Sequence, residues 1–183
     1  MKLSIYLFLV ATVLFFSSCD ELKMKPQAHT NQYFDMVGFV QNQIILLEKT
    51  PCTLNKSMTS NDLKQNTETK TIDWKEELGL FLEVDINKPV LRDMYLVNES
   101  KNFVEYIATD SKYKVQYLSI KGSPENPTEI TAFLTDENQL YQTKKELQLK
   151  FDNKKLVSYK IAGQQKIIFK DALTYSMVST VLY

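Results

Sequence analysis

The sequence predicts an α+β domain: two helices packed on one face of a curved, half-barrel-like antiparallel meander. Three observations predict it. Two stretches in the first half carry apolar residues at helical spacing, and from Tyr95 onward the apolar period shortens to two. Turn signals then recur about every ten residues, as in an antiparallel meander. No helix-length segment separates those strands, which excludes the crossovers a parallel sheet needs.

The first helix is expected over Tyr33 to Lys49, with Val37, Val40, Ile44 and Leu47 on one stripe, Thr30 or Asn31 as cap, and Pro51 as stop. Thr53–Thr59 and Thr67–Ile72 read as a hairpin turning near Asn61-Asp62. The second helix is expected from Asp73, with Glu76 three residues later in a capping-box arrangement, and should end before Pro89. Its apolar face holds Trp74, Leu78, Phe81 and Leu82. The strands that follow include "YKVQYLSI", "EITAFLT", "ELQLKF", "LVSYKIA", "QKIIFK" and "LTYSMVSTVLY". The turns between them are expected at Asn98-Lys101, Asp110-Ser111, Gly122-Pro127, Asp136-Asn138, Asp152-Lys154 and Gly163-Gln164.

The N-terminus has a different character. Lys2 and the apolar run Leu3–Phe16 form the charged and apolar regions of an export signal. The uncharged run to Cys19 falls short of the about 20 residues that span a bilayer. Phe16-Ser17-Ser18-Cys19 resembles a bacterial lipobox, although Phe16 stands where Leu is usual. That resemblance implies a signal peptide over residues 1–18 and acyl chains, palmitate among them, on Cys19. Residues 19–32 then read as the lipidated cysteine and a flexible tether, and 33–183 as a single domain. Asp20 and Glu21 resemble a surface-export signal of Bacteroidota lipoproteins, whereas in enteric bacteria Asp20 resembles an inner-membrane retention mark. The expected location is the outer membrane, on its periplasmic or cell-surface face.

Composition excludes several functions. Lys plus Arg and Asp plus Glu balance at 22 each, so no net field attracts nucleic acid. With Cys19 lipidated, Cys52 has no partner for a disulfide. The four glycines are scattered, so phosphate-cradling loops and the nucleophile elbow are absent. His29, the one histidine, sits on the tether, where it cannot serve as a positioned base. Zinc lacks ligands, and Pro89, Val90 and Leu96 spoil an EF-hand beginning at Asp85. No cofactor and no catalytic residue are assigned. Glu76-Glu77 and Asp136-Glu137 are adjacent carboxylates that should point apart. Cys52 reads as a buried, unreactive thiol.

Eight of the ten tyrosines follow residue 90, which suits a half-wet sheet, a binding groove or an interface, and also plain strand propensity. "YFDMVGFVQNQI" followed by "IDWKEELGLFLEVDINKPVLRDMY" resembles a family of Bacteroidota envelope lipoproteins with a Trp-Lys-Glu-Glu-Leu helix and a Tyr-rich sheet. The resemblance brings no activity and no functional residue. The sequence therefore supports a membrane-anchored domain that binds an envelope protein or an amphiphilic ligand without catalysis. The alternatives are an accessory subunit of an outer-membrane complex, and a hydrolase with an acidic site. Of the two strand faces, the one opposite the helices is expected to carry binding.

Overall fold

The structure, a computed structural model, describes residues 32–61 and 63–183. The expected signal peptide, Cys19, His29 and the tether up to residue 31 lie outside the described residues. Among the described residues no helix is long and apolar enough to cross a membrane.

The chain is α+β and largely β. Helix α1 runs Met36–Glu48. Thr30 and Asn31 lie outside the described residues, and the cap is Asp35, whose carboxylate accepts from the Gly38 amide at 2.9 Å. A side chain at Gly38 would strike that carboxylate, so the glycine leaves room for the cap. The buried stripe is Met36, Val40, Ile44 and Leu47, with Met36 in the place expected for Val37.

Nine strands form one antiparallel sheet: β1 Thr53–Ser60, β2 Leu63–Thr69, β3 Tyr95–Ser100, β4 Phe103–Ala108, β5 Val115–Ser123, β6 Asn126–Glu137, β7 Tyr141–Asp152, β8 Lys155–Ile167 and β9 Leu173–Leu182. Their order is β2-β1-β9-β8-β7-β6-β5-β4-β3, and the sheet does not close. The expected meander holds from β3 to β9. The β1–β2 hairpin then joins beside β9, with Leu54 opposite Val181, so the last strand is covered by the first.

One row of side chains on each strand is buried and continuous across the register. Leu147 lies opposite Ala132 and Ile161, and Leu149 opposite Ile130 and Tyr159. Residues of α1 belong to the same hydrophobic cluster. The Phe39 ring meets Phe151 edge-on at 5.3 Å, a geometry worth about 0.5–1.5 kcal/mol beyond burial.

The second helix is much shorter than the sequence predicts. Asp73 caps it as expected, accepting from the Lys75 and Glu76 amides at 3.0 Å each. Yet α2 spans only Trp74–Glu77, followed by 3-10 turns at Gly79–Glu83 and Pro89–Leu91. The helix stops at Gly79, and glycine costs a helix interior about 1 kcal/mol. Residues 70–94 form a strap that connects the two opposite edges of the sheet, β2 and β3. This strap still buries Trp74, Leu78, Phe81, Val84 and Ile86.

Gly163 corrects another expectation. It lies inside β8, which runs unbroken through "LVSYKIAGQQKI", and the turn falls after Ile167. A Cβ at Gly163 would come within 2.7 Å of the Lys144 carbonyl and of the Tyr175 hydroxyl. The glycine is there for close approach, not for a turn.

Candidate functional site

A broad cleft forms where α1 ends. Thr50 Oγ1 donates to the Leu46 carbonyl at 2.8 Å, and the chain turns through Pro51 into β1. Strand β9 ends alongside, with Leu182 opposite Thr53. Tyr183 follows, its hydroxyl donating to the Leu156 carbonyl at 2.7 Å and its ring lying 5.1 Å from the Lys155 ammonium. Lys70, Ile72 and Trp74, at the start of the strap, supply the third wall. The space between is about 670 Å³, within the range of small-ligand sites. Leu47, Cys52, Ile72, Trp74 and Leu182 give it an apolar floor, and Glu48, Lys49, Thr50 and Lys70 a polar rim.

Cys52 is half-buried in this cleft, and burial pushes its thiol up. A thiol so placed stays protonated at neutral pH and is a poor nucleophile. The sequence predicts a buried thiol, whereas Cys52 is only half-buried.

A polar clamp lies next to the cleft. Lys56 of β1, Ser179 of β9 and Tyr159 of β8 are successive neighbours across the register on the buried face. Glu77 reaches down from α2 to take a hydrogen bond from the Tyr159 hydroxyl through one oxygen and the Lys56 ammonium at 2.5 Å through the other. Burial first, then the bond to Glu77, holds the Tyr159 phenol far above its ordinary range. Ser179 is fully buried and its hydroxyl meets no partner. Serine, lysine and tyrosine side by side are the parts of a nucleophilic site. Here the lysine is occupied by a carboxylate and the serine is sealed from solvent, so this arrangement fastens the strap to the sheet.

Neither carboxylate pair converges. Glu76 is exposed while Glu77 turns to Lys56; Asp136 accepts from Tyr141 and Glu137 from Gln142. Among the described residues no group of three or more His, Cys, Asp or Glu side chains is placed to hold a metal ion.

The late tyrosines do not form one patch. Tyr95, Tyr106 and Tyr159 are core residues, with Tyr33 meeting Tyr95 and Tyr106 edge-on at 5.5 Å each. Tyr117 points the other way because a bulge at Gln116 shifts the register between Val115 and Tyr117. Val115, Leu118 and Ile120 are therefore all buried. Tyr117 stacks on Phe133 at 5.6 Å, near Ile107 and Leu96. Around this island the outer face carries polar side chains such as Thr131, Gln148, Lys160 and Ser57.

The sequence singled out none of Lys56, Ser179 or the cleft. Their partners lie far apart in the chain, and only the pairing of β1 with β9 unites them. Comparison with protein-family models, with curated proteins and with solved structures returns no match.

Proposed function

We propose that this chain is a lipid-anchored envelope domain that binds an amphiphilic ligand, without catalysis, in the cleft at the end of α1. The observation that carries this reading is the cleft itself: about 670 Å³ with an apolar floor and a polar rim of Glu48, Lys49, Thr50 and Lys70. Such a lining suits a molecule with an apolar body and a polar head. On this reading α1 and the strap cover one face of a half-barrel-like sheet, and Cys19 holds the domain to the outer membrane as in the Bacteroidota lipoproteins it resembles.

Trp74 makes the test direct, because it is the chain's one tryptophan and lines the cleft. Titration with a naturally fluorescent polyene fatty acid should give saturable energy transfer from Trp74. Leu182→Glu, which places a charge on the cleft floor, should abolish it, and organic extracts of the purified protein should contain lipid. Absence of both saturable transfer and extractable lipid rejects the reading. A second reading, docking on an outer-membrane complex, is favoured by the two open sheet edges β2 and β3 and by the exposed Leu96 and Phe133. Recovery of one envelope protein at fixed stoichiometry from cross-linked membranes, lost on Leu96→Glu, would support it instead.

A further inference from the structure

At the opposite end of the sheet from the cleft, three hairpin turns meet: β1–β2 at Asn61, β6–β7 at Asn138–Leu140, and β8–β9 at Ile168–Ala172. They are stitched together. The Ile168 amide donates to the Leu140 carbonyl at 2.9 Å, and the Asn61 amide to the Thr174 carbonyl at 2.9 Å. This rim exposes large apolar side chains that the core does not use. Phe169 is 97% exposed and Leu63 79%, the two most exposed large hydrophobic residues described, with Leu140 at 64% and Ile168 at 47%. Phe169 also has φ of 61°. A left-handed backbone is costly for an aromatic residue, and here it projects the ring off the tip of the turn.

We propose that this rim inserts into the surface of a lipid bilayer. Three observations select a bilayer over a protein. The apolar residues sit on the tips of turns, a wedge and not a groove or flat patch, so each can enter the interface separately. Lys64, Lys166 and Lys170 flank the apolar tips, and among the described residues no ion pair engages them. Long lysine stems bury their methylenes while the ammonium meets lipid phosphate. The same turns also carry Asp62, Asp136, Glu137 and Asp171, so the lysines serve as phosphate contacts and not as a net positive field; Tyr141 and Gln142 hydrogen-bond Asp136 and Glu137 and leave their charge in place.

The third observation is where the chain enters. Gln32 Nε2 donates to Asp93 Oδ1 at 2.6 Å. Asp93 leads into β3, whose first residue Tyr95 pairs with Ala108, the last of β4, at the same end of the sheet as the three turns. Residues 20–31 reach up to about 40 Å when extended. A chain anchored at Cys19 thus arrives at the end of the domain that carries the apolar rim. This orientation rests on the anchoring proposed above, while insertion itself rests on the rim.

The test uses the full chain reconstituted into vesicles of phosphatidylglycerol and phosphatidylcholine. Phe169→Trp should add an indole with blue-shifted emission that lipids brominated near the headgroup quench, while Trp74, 3% exposed in the wild type, should not be quenched. In Cys19→Ser chains, Ile168→Ser with Phe169→Ser should weaken partition by about tenfold or more, since each tenfold step is about 1.4 kcal/mol. Two results overturn the proposal: unquenched, red-shifted emission from the indole added by Phe169→Trp with the protein anchored; or rim burial that tracks protein concentration, which assigns the rim to a second copy. Loss of attachment in Cys19→Ser alone speaks to the anchor, and quenching in the Phe169→Trp variant to the rim.

Discussion

Raising the pH above about 10 should unfold this protein through its buried phenols. Tyr95 is 5% exposed and its hydroxyl donates to the Val115 carbonyl at 2.9 Å. Burial, with smaller contributions from Tyr33, Tyr113 and Asp85, pushes its phenol up to about 12. Tyr159 is raised further, by burial and by its bond to Glu77. Both folded values lie above the unfolded value of about 10, so the unfolded chain loses these protons first. The stability they contribute is complete below pH 10 and is lost as pH rises through the folded values. For Tyr95 alone the loss between pH 10 and 12 is about 2–3 kcal/mol, a large part of the 5–15 kcal/mol typical of a domain. Urea midpoints from pH 8 to 11.5, read beside phenolate absorbance, check this. The midpoint should fall, and part of the absorbance should rise only on unfolding. Tyr95→Phe should lose the hydrogen bond at neutral pH but flatten the alkaline decline. A midpoint constant to pH 11.5, or every phenol titrating in the folded protein, would refute the reasoning.

Trp74→Ala should lower stability by about 3–5 kcal/mol, because the ring is buried and the cavity lies under the strap; thermal or urea unfolding measures it. Gly163→Val should be destabilising by at least about 1–3 kcal/mol, and Tyr175→Ala should relieve only part of it, since the Lys144 carbonyl remains in the way. Glu77→Ala should cost about 2–4 kcal/mol by stripping a partner from both Lys56 and Tyr159, and a loss below 0.5 kcal/mol would show that the clamp holds nothing. Cys19→Ser should release the protein from the membrane fraction, and intact mass should show the acyl chains on the wild-type cysteine alone.

The parts of the fold that were legible in the sequence are those whose determinants are local. Strand β7 alternates through Leu147, Leu149 and Phe151, and Asn153 and Lys154 take positive φ at the turn that "DNKK" announces. Asp73 caps where its spacing to Glu76 says it should. What failed was set by distant partners. Strand β2 is polar and exposed almost throughout, so no apolar period marks it, and its bounds follow from pairing with β1. Gly163 mimics a turn signal until Tyr175 is laid across it. The strap carries a helical pattern, but the α-helix stops at Gly79 and 3-10 turns follow. Tyr113, Val115 and Tyr117 look like one row, and the bulge at Gln116 divides them. For the cleft, local sequence offers a helix stop at Pro51 followed by Cys52, but Tyr183 and Trp74 come to that place only through the register of β1 with β9.

The strap joins the elements on which the proposed functions depend. Trp74 and Glu77 are one helical turn apart, so a single turn presents the indole to the cleft and the carboxylate to the clamp. Farther on, Phe81 lies edge-on to Tyr159 at 6.2 Å, and Glu83 takes the Lys114 ammonium at 2.7 Å. Asn87 then accepts from the Tyr33 amide and donates to the carbonyls of Tyr33 and Phe34, pinning the entry of α1. The same strap therefore fixes the cleft wall and the point where the chain enters the domain. Four residues of helix are enough to aim Trp74 and Glu77, and the looser chain beyond them spans the sheet.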